Sequence, residues 1–181
     1  MGITITEALA EIKTLNKRIE KKIAFISGYL IRQEGVKDPL EKQGGSIKVI
    51  EIERQSINDL MERIVFIRTA IAKANNSNEI SIEGTKKTIA EWLVWRREVA
   101  PLQRVMLENI TKNLNHYRNE AKKQGVAFIS AQASTAESKP TDLVVSIDEL
   151  ALANELETFE KILGTLDGQL SLANATIQIE E

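Results

Sequence analysis

The chain has 181 residues, 43% of them apolar and 28% charged, with a formal net charge of −2. That is enough apolar material for one folded domain and excludes a disordered tail. There is no cysteine, which excludes disulfides, thiolate metal sites and a cysteine nucleophile, and aromatics at only 4% favour aliphatic seams on long helices over a β-sandwich.

The first helix is expected near Thr6, capped by Thr4 or Thr6, with Glu7 in its first turn. Leu9, Ile12, Asn16, Ile19, Ile23, Ile26 and Leu30 recur at alternating steps of three and four, the spacing of a coiled-coil seam. Asn16 either occupies a buried seam position that fixes register or lies at a wet edge. Lys13, Lys17, Arg18, Lys21 and Lys22 fall off the seam and read as a solvated face. No basic segment with a compact apolar core opens the chain, and the apolar stretch 23–31 is too short to span a bilayer. The expectation is a cytoplasmic protein, or one built into a particle in the cytoplasm, without a membrane partner.

Glycines and a proline break the chain over 34–49, and residues 46–52 read as a short strand or as the start of the next helix. The second helix is clear from Ile57, through Leu60, Ile64, Ile67, Ile71 and Ala74, and Asn75, Asn76 and Asn78 stop it. Residues 80–83 alternate, and Gly84 suits a turn of positive φ. A third helix is expected over 85–124, with a seam of Ile89, Leu93, Arg96, Ala100, Gln103, Leu107, Ile110, Leu114, Tyr117 and Ala121, a kink near Val99 from Pro101, and a stop at Gly125.

The period then changes to two. Val126, Phe128 and Ser130 alternate, as do Leu143, Val145 and Ile147, so residues 126–147 are read as a β-hairpin arm with a flexible tip at 131–141. Ser146 with Glu149 gives a capping-box spacing, and the last helix carries a seam of Leu152, Leu156, Phe159, Leu163, Leu166, Leu170, Ala173 and Ile177, after which the chain alternates as if extended. The fold class is therefore mainly α: a single domain over 1–181, a long-helix antiparallel bundle or coiled coil with a small β-hairpin. Residues 137–181 carry −8 and the rest +6, which reads as an acidic last helix beside basic earlier ones. The pI near 5.7 argues against nucleic acid as the main partner.

Candidate chemistry is sparse. The single histidine, His116, excludes a di-iron bundle of paired Glu-x-x-His elements, and no nucleophile elbow or phosphate loop is present. No catalytic residue, metal ligand or cofactor is assigned. Lys86 and Lys87, expected in the first turn of the third helix, could hold an anion there. With Trp92, Arg96 and Arg97 they form the candidate binding cluster for a small anionic ligand. Arg96, on a seam, must pair with an acid of the last helix or reach water. Asn16, Ile23, Ile26, Leu30, Trp95, Phe128 and Val145 are the candidate interface residues of a homo-oligomer.

The stretch Ile71-Ala72-Lys73-Ala74-Asn75, then Glu83-Gly84, then Thr88-Ile89-Ala90-Glu91-Trp92-Leu93-Val94-Trp95-Arg96-Arg97-Glu98 resembles the septicolysin-like family of small bacterial proteins, as does Ala173-Asn174-Ala175-Thr176 after Leu172. The similarity covers roughly residues 55–177, and Trp92 and Trp95 stand where aliphatic residues are expected. The resemblance implies a helical bundle with a small β element and no established enzyme activity. The family name implies a cytolysin, although nothing in this sequence is built to enter a membrane.

From the residues themselves the leading expectation is a structural or assembly protein, a helical homo-oligomer that contacts other assembly proteins, with a phage or other particle component as one version. A module sequestering an anionic ligand is the alternative.

Overall fold

A computed structural model describes residues 2–131 and 139–180. The protein is mainly α. Strand β1 (Ile3–Thr4) leads into α1 (Ile5–Tyr29), a 3-10 turn covers Glu41–Gln43, and α2 runs Ser46–Ser77. Strands β2 (Glu79–Ile82) and β3 (Thr85–Thr88) form a hairpin. Helix α3 (Ile89–Val94), a π turn (Trp95–Val99) and α4 (Ala100–Gln124) follow without interruption. Then come β4 (Phe128–Ser130), β5 (Leu143–Val145), α5 (Glu149–Thr176) and β6 (Gln178–Ile179). The chain divides into two compact units, Met1–Asn78 with Leu170–Glu181, and Glu79–Gln169.

In the first unit α1 and α2 run antiparallel. Lys22 Nζ meets Glu53 Oε2 at 2.6 Å, and Arg63 Nε meets Glu11 Oε1 at 2.9 Å. Thr4 caps α1 through a full capping box with Glu7, so the helix starts at Ile5. The buried face of α1 is Ile5, Ala8, Ile12, Leu15 and Ile19, and the first four of these pack with Ile67, Ile71 and Ile179. Part of the expected seam is thus displaced by one residue. Leu15 is in the core, Asn16 is exposed, and Leu9, Ile23 and Leu30 are exposed as well. Ile5 and Ala8 define the same three–four step as Leu9 and Asn16, and apolar area decides between the phases because a buried Asn needs partners that Leu does not. Burying one such Ile or Leu contributes about 1.5–3 kcal/mol.

Residues 46–52 are helical. Asp38 caps α2 from outside it, accepting from the Ser46 amide at 2.7 Å, the Ser46 hydroxyl at 2.5 Å and the Leu40 amide at 2.8 Å. The expected seam of α2 is inward, with Ile57, Ile67 and Ile71 buried. Strand β6 pairs antiparallel with β1, Ile3 opposite Ile179.

In the second unit Glu83 and Gly84 both have positive φ, +48° and +75°, and close the β2–β3 hairpin in the way a two-residue loop of primed type requires. The third helix therefore begins at Ile89, capped by Thr88 with Glu91, and not at 85; Lys86 and Lys87 lie on β3. Beyond it α4 and the first part of α5 pack antiparallel. Ala100, Leu107, Leu152 and Phe159 form the core, with Trp95, Ile110, Leu114, Ile147, Leu156 and Leu163 packed on it. Of the two expected starts of the last helix, Ser146 and Asp148, it is Asp148 that caps α5, accepting from the amides of Leu150 and Ala151 at 2.9 and 3.0 Å.

The alternating stretches within 126–147 do form strands, but the hairpin arm expected there is corrected: β4 and β5 are parallel, Phe128 opposite Leu143 and Ser130 opposite Val145. The antiparallel hairpin is β2–β3. A parallel pair needs a crossover of about a dozen residues, which the chain between Ser130 and Leu143 supplies. Asp142 holds the two strand starts together, its carboxylate accepting from the Ala127 amide at 3.2 Å and the Lys139 amide at 2.9 Å. Most of the expected flexible tip, residues 132–138, lies outside the described residues.

Candidate functional site

The π turn decides where the candidate binding residues go. A π turn holds one residue more than the regular helix, so everything before it is rotated by one position relative to everything after it. Trp92 and Trp95 thereby take the inward places assigned to Leu93 and Arg96. Trp92 is 1% exposed, and its indole N–H donates to the Ile80 carbonyl at 3.1 Å. Trp95 packs edge-on against Trp92 and Phe159, with ring centroids 5.5 and 5.9 Å apart. Pro101, which can donate no helical hydrogen bond, sits two residues beyond the π turn.

The cations are turned outward and separated. Arg96 is not on a seam; it is exposed and pairs with Asp167 of the last helix at 3.0 Å. Arg97 pairs with Glu98 at 2.6 Å, and Lys86 with Glu79 at 2.5 Å. Lys87 lies 5.8 Å from the centre of the Trp92 ring. Three of the four cations already face a carboxylate, and Trp92 offers no open ring face to a planar ligand. The structure puts Lys86 and Lys87 on β3, Trp92 on α3, and Arg96 and Arg97 on the π turn.

The interface candidates also divide. Asn16, Ile23 and Leu30 are exposed and Ile26 is half-buried. Trp95 and Phe128 are half-buried inside the second unit, and Val145 is buried there. The Arg118 guanidinium lies 5.2 Å from the Phe128 ring centre and is hydrogen-bonded to Glu149. His116 is exposed on α4, its ring 5.4 Å from that of Tyr117. Among the described residues no group of three or more His, Asp and Glu could hold a metal ion. No helix among them is long and apolar enough to cross a membrane.

Val105, an apolar residue off the helix seams and so a pointer to a second contact surface, belongs to a second apolar face of the α4 rod. Leu102 and Val105 lie on the side away from Ala100 and Leu107, with Val99 and Met106 on one flank, all four exposed. Leu102 is 72% exposed. In the same unit an open apolar groove of about 410 Å³ lies between α4 and β5, lined by Ile110, Leu114, Tyr117, Phe128 and residues 143–147.

Carboxylates held below their usual range all serve helix geometry or ion pairs. The Thr4 amide and hydroxyl lower Glu7, and those of Thr88 lower Glu91. Asp38 is lowered chiefly by the Ser46 hydroxyl, and Glu120 and Glu157 by Lys123 and Lys161. None is an isolated acid poised for proton transfer.

No family model, no curated protein and no solved structure matches this chain.

Proposed function

We propose that this chain is a non-enzymatic structural protein that works as a helical homo-oligomer in the cytoplasm or in a particle assembled there, such as a phage virion. The observation that carries this reading is the outer stripe of α4. A helix in a monomer needs one apolar face, and a second, rimmed by polar residues, marks a contact surface. Val99, Leu102, Val105 and Met106 supply such a face on a helix whose core side is already filled by Ala100 and Leu107. The residue inventory supports the non-enzymatic part, since the chain has no cysteine and one histidine. Septicolysin-like kinship over residues 55–177 is part of the same proposal and carries no cytolytic role with it.

The test is sedimentation velocity on the untagged chain and on a Leu102→Ser/Met106→Ser variant. The expected result is an oligomer that shifts toward monomer in the variant with unchanged helicity. A wild-type chain that sediments as a monomer at all concentrations sinks the reading. Sequestration of an anionic ligand is the competing proposal, and a bound mass in native mass spectrometry that Arg96→Ala/Arg97→Ala abolishes would replace the assembly reading with it.

A further inference from the structure

The α1–α2 pair of the first unit carries opposite charge on its two outward faces. On α1, Lys13, Lys17 and Lys21 stand one turn apart on the side away from Ile12, Leu15 and Ile19, with Arg18 beside them, all exposed. Some cations of the chain have carboxylate partners, Lys22 with Glu53, Arg63 with Glu11 and Lys123 with Glu120, and others such as Arg54 and Lys73 have none among the described residues. Among the described residues Lys13, Lys17, Arg18 and Lys21 have none. Like charges one turn apart repel, and on this face only Glu20, at its margin, is of opposite sign.

On α2, Glu51, Asp59 and Glu62 are exposed on the side away from Ile57, Ile64 and Ile67. Gln55, between them, donates to Asp59 at 2.8 Å. Glu51 and Glu62 have no cation partner among the described residues. Lys48 and Lys73 bracket this patch toward the two ends of α2, and Glu20 and Arg54 stand at the margins of the two faces.

The two patches lie at the same height. The ion pairs Glu11–Arg63 and Lys22–Glu53 set α1 residues 11–22 alongside α2 residues 53–63. Lys13, Lys17 and Lys21 fall between those pairs, a ladder about 12 Å long at 1.5 Å per residue. Asp59 and Glu62 fall between them too, with Glu51 just beyond. A basic back and an acidic back at one level are complementary under a sideways step of one copy onto the next.

We infer that the partner of the basic face of α1 is the acidic face of α2 on a second copy of this chain, in a head-to-tail contact. Such a contact is heterologous: each copy keeps one free basic and one free acidic face, so copies add to a ring or an open filament and do not stop at a two-fold dimer. Exposed ion pairs of this kind set register and specificity more than affinity, with apolar contacts supplying the rest. This inference rests on the oligomeric reading above and names one of its contacts.

The experiment uses sedimentation velocity on the full chain and two charge-reversed variants, Lys13→Glu/Lys17→Glu/Lys21→Glu and Glu51→Lys/Asp59→Lys/Glu62→Lys. Circular dichroism confirms that both fold, since every position is exposed. Neutral Gln and Asn versions at the same positions serve if reversal disturbs the helices. The expected result is that the wild type forms species larger than a dimer, which shrink at about 0.5 M salt, where screening reaches within a few Å. Each variant alone loses those species at low salt, and an equimolar mixture regains them, because an all-acidic copy now fits an all-basic one. A wild-type oligomer that both variants preserve overturns this inference and leaves the oligomeric reading standing, whereas a wild-type monomer overturns both. A mixture that stays dispersed overturns the inference as well. So does salt-sensitive binding of a labelled DNA duplex by the wild type that only the Lys-to-Glu variant loses while the oligomer is unchanged, since the lysine face then serves a polyanion.

Discussion

Trp95 and Ala100 are five residues apart and cover the same core, because the Ala100 amide donates to the Trp95 carbonyl and closes a π turn. In a regular helix residues five apart diverge by about 140°, and one of the two would face water. The inserted residue brings the register of the α3 segment into step with that of α4.

This relationship predicts an asymmetry between deletions. Removing Glu98 together with Pro101→Ala turns the insertion into regular helix and keeps Trp92, Trp95 and Ala100 on one side. The variant should unfold in urea within about 1 kcal/mol of the wild type, the usual range for surface changes. Removing Asn109, exposed in the middle of α4, has no insertion to absorb it. It rotates Ile110, Leu114 and Ala121 out of the core and should cost more than about 4 kcal/mol. Equal losses in the two variants would mean that the π turn does not set the phase.

Trp92 is the largest fully buried side chain and ties α3 to the β2–β3 hairpin through Ile80. Trp92→Ala should cost roughly 3–5 kcal/mol. Trp92→Phe, which removes the indole donor to the Ile80 carbonyl and part of the buried ring, should cost about 1–3 kcal/mol. Arg96→Ala breaks only an exposed pair with Asp167 and should stay within about 1 kcal/mol. Guanidinium denaturation of the three variants ranks them.

The phase of α1 is open to the same measurement. Leu15→Ala removes a buried side chain and should cost about 2–5 kcal/mol. Asn16→Ala, on the exposed side, should be neutral or slightly stabilising, because Ala is the better helix former. A large loss at Asn16 would point to a partner covering it.

Gly164 and Gly168 sit within α5 with nothing near the place where a Cβ would stand. Each replacement by Ala should stabilise the isolated chain by roughly 0.5–1 kcal/mol, through the smaller backbone entropy lost on folding. Thermal unfolding at a concentration too low for association checks this. Lower stability in both variants would show that something approaches the helix there.

Acid sensitivity should be concentrated in the caps. The folded carboxyls of Glu7, Asp38 and Glu91 lie below their usual range, so the unfolded chain binds more protons as pH falls through that range. Their contribution is fully present above the ordinary carboxylate pKa and is lost as pH drops below it toward the lowered values. Urea midpoints should be flat from neutral pH down to about 5.5 and decline below about 4.5. Asp38→Asn should flatten part of that decline while lowering stability at neutral pH.

The residues by themselves determined the helical class, the seams of α2 and α5, the turn at Gly84 and the C-terminal stop at Gly125. In each case the signal is local and periodic: Ile57 to Ala74 and Leu152 to Ile177 present one apolar edge whatever they pack against. The cap of α1 was legible only as a choice between Thr4 and Thr6, and the fold decides it for Thr4, whose hydroxyl and amide close a box with Glu7. Three matters were decided only in the folded chain. The phase of α1 turned on whether Leu15 or Asn16 met Ile67 and Ile71, a comparison of two burial energies that one helix does not contain. The direction of β4 against β5 was decided only by their pairing in the folded chain, because alternation reveals that a strand is half-buried but not which way its neighbour runs. The insertion at Trp95–Val99 had a trace in the sequence, an arginine at an expected seam position five residues before a proline. Whether a helix breaks, kinks or widens at such a place depends on which side chains must reach the core beyond it. Here Trp92, Trp95 and Ala100 all reach it, and the backbone takes up the extra residue.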